Sequence, residues 1–176
     1  QYSADFLSFS CYASLTYTTH EAEVSSGNFA RGVKNPYLET NAWGWGLDPD
    51  CLRIALNTLY DRYHKPLWIV ENGLGWEDIL EEDGTIHDDY RIEHLRRMIQ
   101  EMKIGIEEGA NLFGYCPWSA LDLVSTREGI TKRYGFIYVD RDEDDEKAKT
   151  AEMKRYRKDS FYWYKKVIES NGEDLD

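Results

Sequence analysis

Five consecutive apolar residues, Pro66-Leu67-Trp68-Ile69-Val70, run without polar alternation onto a carboxylate, an asparagine and a glycine, Glu71-Asn72-Gly73. Such a run predicts a strand covered on both faces, as in a parallel sheet wrapped by helices. The Asn-Gly pair then predicts a turn of the chain directly behind Glu71. A carboxylate at the C-terminal end of a barrel strand would sit on the face where barrels carry their chemistry. The competing reading is a glutamate that caps a loop or pairs with an arginine, and this stretch alone leaves both open.

The flanking sequence continues the alternation of strand and helix. Asp5 to Tyr12 predicts a buried strand, and Tyr17 to Gly46 a long aromatic loop containing Pro36 and Trp43-Gly44-Trp45-Gly46. Loops of that length are usually functional or disordered. Asp48-Pro49 opens a helix through Leu52, Ala55, Leu56, Leu59 and Tyr60, and Asp88 to Glu108 forms another, with Ile92, Leu95, Met98, Ile99 and Met102 at helical spacing. Asn111 to Cys116 is a strand stopped by Pro117, followed by a second long loop from Trp118 to Gly135. A short strand is expected over Phe136 to Val139, an acidic run over Asp140 to Glu146, and a last helix over Ser160 to Ser170, whose Phe161, Trp163 and Tyr164 serve packing. Repeated strand-helix units imply right-handed parallel crossovers and an α/β fold, and three of them are too few to close a barrel of eight.

Charge narrows the ligand class. The 176 residues carry 33 acidic against 21 basic side chains, a formal charge of −12, so nucleic acid and anionic membrane surfaces are disfavoured as partners. An anionic ligand would need a local cationic site. Cys11, Cys51 and Cys116 lack metal-ligand spacing and favour reduced thiols in a cytoplasmic protein, and no signal peptide or membrane-spanning apolar run is present. The four histidines are scattered, and Asp140-x-Asp142-x-Asp144 lacks the central glycine and closing glutamate of a calcium loop. With strand-like sequence starting almost at Gln1, residues 1–176 are expected to form a single partial domain whose N-terminal part is missing.

Three segments together carry a resemblance: Ile69-Val70-Glu71-Asn72-Gly73, Gly114-Tyr115-Cys116-Pro117-Trp118-Ser119-Ala120-Leu121-Asp122, and Lys132-Arg133-Tyr134-Gly135-Phe136-Ile137-Tyr138-Val139-Asp140. Their order and spacing, extending to Trp163-Tyr164-Lys165-Lys166-Val167-Ile168, resemble glycoside hydrolase family 1. The resemblance implies the C-terminal part, about the last three strand-helix units, of a TIM (β/α)8 barrel. It further implies that Glu71 is the nucleophile of a retaining glycosidase. Such enzymes use two carboxyl groups about 5 Å apart, one ionised to attack and one protonated to release the leaving group. The family's acid/base lies in a Thr-x-Asn-Glu-Pro type motif, and no such motif occurs in this sequence.

By the same resemblance Tyr12 orients the nucleophile through its phenol; on its own it reads as an inner-strand aromatic. Ser10 stands where β-glucosidases often carry Asn, and Cys11 where bacterial members commonly carry Tyr. Trp118 matches the tryptophan under the glycone sugar, a flat ring for the C–H face of a pyranose, with core packing as its alternative. Members that take unphosphorylated glucosides carry Glu-Trp in the next loop, whereas this chain has Ser125-Thr126. Ser125, Lys132 and Tyr134 follow the Ser-x6-Lys-x-Tyr arrangement of the 6-phospho-glycosidases, and a hydroxyl, an ammonium and a phenol suit a phosphate dianion. Arg133 reads as a solvated neighbour.

The implied activity is retaining hydrolysis of 6-phospho-β-D-glucosides to glucose 6-phosphate, in the cytoplasm and without cofactor or metal. The alternatives are a 6-phospho-β-galactosidase, or a truncated non-catalytic fragment that at most binds sugar phosphate or self-associates. The expected partners are a phosphorylated β-glucoside and either the missing N-terminal part of the barrel or a second copy, since unpaired strand edges invite association.

Overall fold

The computed structural model describes residues 3–22, 24, 32–149 and 152–176; part of the predicted Tyr17–Gly46 loop therefore lies outside the described residues. Contacts divide the chain into two compact units, Gln1–Asn72 with Arg97–Cys116, and Gly73–Arg96 with Pro117–Asp176.

In the first unit, strand β1 (Leu7–Ser10) leads through helix α1 (Asp50–Tyr63) to a parallel partner, β2 (Leu67–Asn72). The crossover expected from the sequence is thus present. Strand β3 (Leu112–Pro117), reached through helix α2 (Asp89–Glu107), completes a three-stranded sheet in the order β1-β2-β3. Helix α1 begins beside Pro49, carries Asp50 in its first turn and ends on His64 in a left-handed conformation, φ 48°, whose N–H caps the Tyr60 carbonyl. Leu52 and Leu56, one turn apart, are fully buried. Glu108 ties the two helices: it takes Asn57 Nδ2 at 2.6 Å and Arg53 Nε at 2.8 Å, and these donors hold its carboxyl down at about 2.

Strand β2 departs from the expected burial. Leu67 and Ile69 are buried completely, but Trp68 and Val70, which alternation sends to the other face, are only half-buried. On that second face Phe6, Trp68 and Phe113 pack on one another with centroids 5.5–6.1 Å apart, and Phe6 and Phe113 remain 43% and 54% exposed. The run is covered on one face and open on the other.

The predicted turn after Glu71 is also absent, because Asn72 still belongs to β2. Its buried amide donates to the Cys11 carbonyl at 2.7 Å and accepts from the Tyr115 hydroxyl at 2.7 Å, tying the ends of all three strands.

In the second unit, strand β4 (Ile137–Val139) pairs antiparallel with β5 (Arg155–Arg157), a strand that its charged sequence conceals. The acidic run contains a short helix, α3 (Asp145–Ala148), which the sequence reading also missed; Asp144 accepts from the Glu146 N–H at 2.9 Å at its start. Helix α4 (Asp159–Glu169) buries Trp163 and stacks Tyr164 on Phe136 at 4.7 Å, so its aromatics do pack.

Candidate active site

Glu71 and Tyr12 belong to the first unit. A register shift between Phe9 and Ser10 sets Ser10 opposite Glu71, and the Cys11 N–H bonds to the Glu71 carbonyl at 3.0 Å. That irregularity brings Ser10 and Tyr12 to one carboxylate. The Tyr12 hydroxyl donates to Glu71 Oε2 at 3.1 Å and the Ser10 hydroxyl to the same oxygen at 3.2 Å. Two hydroxyl donors on one oxygen fix the rotamer of the carboxylate. The second donor was not assigned from sequence; the signal was the departure from Asn at position 10. The Tyr12 ring meets the edge of Trp45 at 5.8 Å, and Trp45 is held by Asn41 Oδ1, which accepts the backbone N–H groups of Trp43 and Trp45 at 3.0 and 2.9 Å.

Beside this group the Cys11 and Cys51 sulfurs lie 3.8 Å apart as free thiols. The hydrogen bond between them lowers the Cys11 pKa and raises that of Cys51, which burial raises further.

The second unit holds Trp118, Ser125, Lys132 and Tyr134. Trp118 is 36% exposed and its peptide bond to Ser119 is cis. Gly73 passes so close that a side chain there would meet the Trp118 carbonyl oxygen at 2.2 Å, which excludes any other residue at this step. Ser125 and Gly129 close a tight loop, with the Ser125 N–H bonded to the Gly129 carbonyl at 2.8 Å. Within it Ser125 Oγ donates to Glu128 Oε2 at 2.8 Å, and Ser125 lies beside the Tyr134 phenol. Lys132 is fully buried, with Nζ 3.7 Å from Glu128 Oε2 and 5.9 Å from the centre of the Tyr134 ring. Serine, lysine and tyrosine therefore lie together as the family resemblance implied, around a glutamate it did not single out. Burial lowers the Lys132 pKa below its usual 10.5, although Glu128 opposes the shift, and burial raises that of Tyr134.

Arg133 is a correction: it is buried, bonded to Asp122 Oδ2 at 3.0 Å and the Val139 carbonyl at 2.9 Å, and stacked 3.8 Å over Tyr138. It belongs to an ionic network invisible in the sequence. Lys158 bridges Asp78 and Asp122, and Arg91 joins Asp88 to the carbonyls of Leu74, Tyr134 and Arg133. Fixing those carbonyls fixes the Lys132–Tyr134 segment. Among the described residues no group of His, Cys, Asp and Glu could hold a metal ion, and no helix is long and apolar enough to cross a membrane.

The family model for glycosyl hydrolase family 1 matches residues 1–173. The chain belongs to that family. This family 1 chain is 51% identical over 178 residues to the aryl-phospho-β-D-glucosidase BglH of Bacillus subtilis, covering 99% of itself and 37% of that protein. It is 50% identical over 175 residues to the 6-phospho-β-glucosidase AscB of Escherichia coli, covering 98% of itself and 36% of that protein. Among solved structures it is similar to the family 1 β-glucosidase from Thermotoga maritima, with a TM-score of 0.78 at 31% identity over 98% of this chain and 36% of that one. The family 1 chain thus spans a little over a third of its relatives' length and is a partial piece of their (β/α)8 barrel.

Proposed function

We propose that this chain supplies the nucleophile and the phosphate-recognising loop of a retaining 6-phospho-β-glucosidase. The observation that carries the reading is the convergence of Ser125, Lys132 and Tyr134 in one buried cluster, a hydroxyl, an ammonium and a phenol set for a dianion. Support for the gluco over the galacto reading comes from relatives of 47–51% identity, named as aryl-phospho- or 6-phospho-β-glucosidases.

In this reading a Glu71 oxygen attacks the anomeric carbon as the glycosidic C–O bond breaks, and a second carboxylic acid protonates the departing oxygen. Water, deprotonated by that same group, then cleaves the glycosyl ester, giving glucose 6-phosphate and returning Glu71 to its ionised state. Tyr12 and Ser10 keep Glu71 aimed, and Trp118 supports the sugar face. No Asn-Glu-Pro type motif that would carry the second carboxyl occurs in residues 1–176, so these residues alone would at most bind sugar phosphate without turning it over, in a cytoplasmic protein. The open face of Phe6, Trp68 and Phe113 is where the remaining barrel, or a second copy, would pack.

The test is Ser125→Glu in the protein at its encoded length. A carboxylate there should weaken turnover of aryl 6-phospho-β-glucosides far more than that of plain aryl glucosides. Equal losses on both substrates would sink the proposal.

A further inference from the structure

Glu128 stands inside the cluster that Ser125, Lys132 and Tyr134 form. Its carboxylate takes the Ser125 hydroxyl at 2.8 Å and lies 3.7 Å from the Lys132 ammonium, so one carboxylate oxygen meets two groups that a phosphate would need. Lys132 is fully buried, whereas the Glu128 side chain is 20% exposed. The glutamate therefore reaches the cluster from the solvent side and has a way back to it. The tight loop that carries it is closed by backbone bonding of Ser125 to Gly129, the latter at φ 66°, so Glu128 can leave by side-chain rotation without opening the loop.

We propose that Glu128 is a displaceable internal anion of the phosphate cradle, and that it sets the charge threshold for ligands entering there. This rests on the reading of Ser125, Lys132 and Tyr134 as a phosphate cradle. Desolvating an ammonium without a counter-charge is costly, and Glu128 supplies that charge while the cradle is empty. A dianion replaces the carboxylate with a gain in charge and in acceptor oxygens. A neutral sugar hydroxyl offers neither and leaves Glu128 in place. The glutamate thus costs phosphate affinity and in return discriminates against uncharged ligands.

The opposite role, a fixed strut that positions Lys132, makes the opposite prediction, and this separates the two. Titration calorimetry with inorganic phosphate, glucose 6-phosphate and glucose is performed on the protein at its encoded length, comparing wild type with Glu128→Gln and Glu128→Ala. Glutamine retains an acceptor for Ser125 but no charge, and should tighten both phosphate ligands about tenfold, about 1.4 kcal/mol, with glucose unchanged. Alanine should act in the same direction and covers the case in which glutamine disturbs the loop. Unchanged or weakened phosphate binding in both variants overturns the role of Glu128. A third variant, Lys132→Met, tests the underlying reading: if it binds phosphate as well as wild type does, the cradle itself is wrong, whatever Glu128 does.

Discussion

Replacing Asp122 with asparagine removes one charge from the buried network and changes almost nothing in volume, so the effect is electrostatic and free of a cavity contribution. Asp122 Oδ1 accepts from Lys158 Nζ at 2.8 Å and the Gly135 N–H at 2.9 Å, and Oδ2 accepts from Arg133 Nη1 at 3.0 Å, in a side chain with no solvent exposure. An amide has one acceptor oxygen, so either Arg133 or the Lys158 and Gly135 pair would face an NH2 group, donor against donor. Breaking a buried ion pair costs about 3–5 kcal/mol. Because Lys158 keeps Asp78 and Arg133 keeps the Val139 carbonyl and the Tyr138 ring, the lower end applies. Asp122→Asn should therefore lose about 3 kcal/mol, roughly a hundredfold in the folding equilibrium. Urea unfolding followed by tryptophan fluorescence should show a lower midpoint at unchanged slope. The control is Glu169→Gln, which breaks an exposed pair with Lys165 at 3.7 Å and should cost under about 0.5 kcal/mol. If Asp122→Asn costs no more than that control, the ionic network does not hold this unit together.

Two further outcomes follow from the site geometry. Tyr12→Phe removes the 3.1 Å donor to Glu71 but leaves Ser10, so kcat for an aryl 6-phospho-β-glucoside should fall about tenfold to a hundredfold with KM little changed, as expected for losing a charge-assisted hydrogen bond worth ~1.5–3 kcal/mol; steady-state kinetics of the protein at its encoded length reads this, and an unchanged kcat removes Tyr12 from its proposed role. If Lys132 holds the phosphate as proposed, it must be protonated, and since burial sets its pKa below 10.5, affinity for inorganic phosphate should decline with rising pH before an ordinary lysine would titrate; calorimetry across alkaline pH checks this, and a decline only above 10.5 contradicts it.

The sequence by itself determined the parts whose signals are local. The apolar run into Glu71 placed a carboxylate at a strand end, helical spacing marked α1 and α2, and the family resemblance carried by the motifs grouped Ser125, Lys132 and Tyr134, three side chains that lie together. Strand β5 escaped because Arg155-Tyr156-Arg157 has no apolar pattern of its own and becomes a strand only by pairing with β4. Burial was decided by tertiary structure alone. The same apolar run has one covered face and one open face, since covering depends on which partners are present and not on the run itself. The adjacent cations Lys132 and Arg133 look alike in sequence, yet Arg133 is locked to Asp122 while Lys132 meets Glu128, a difference set by which partners the fold brings to each. Nor could spacing reveal that Ser10 shares Glu71 with Tyr12, or that Glu128 meets Ser125 and Lys132: both depend on a register shift and a loop closure that exist only once the chain has folded.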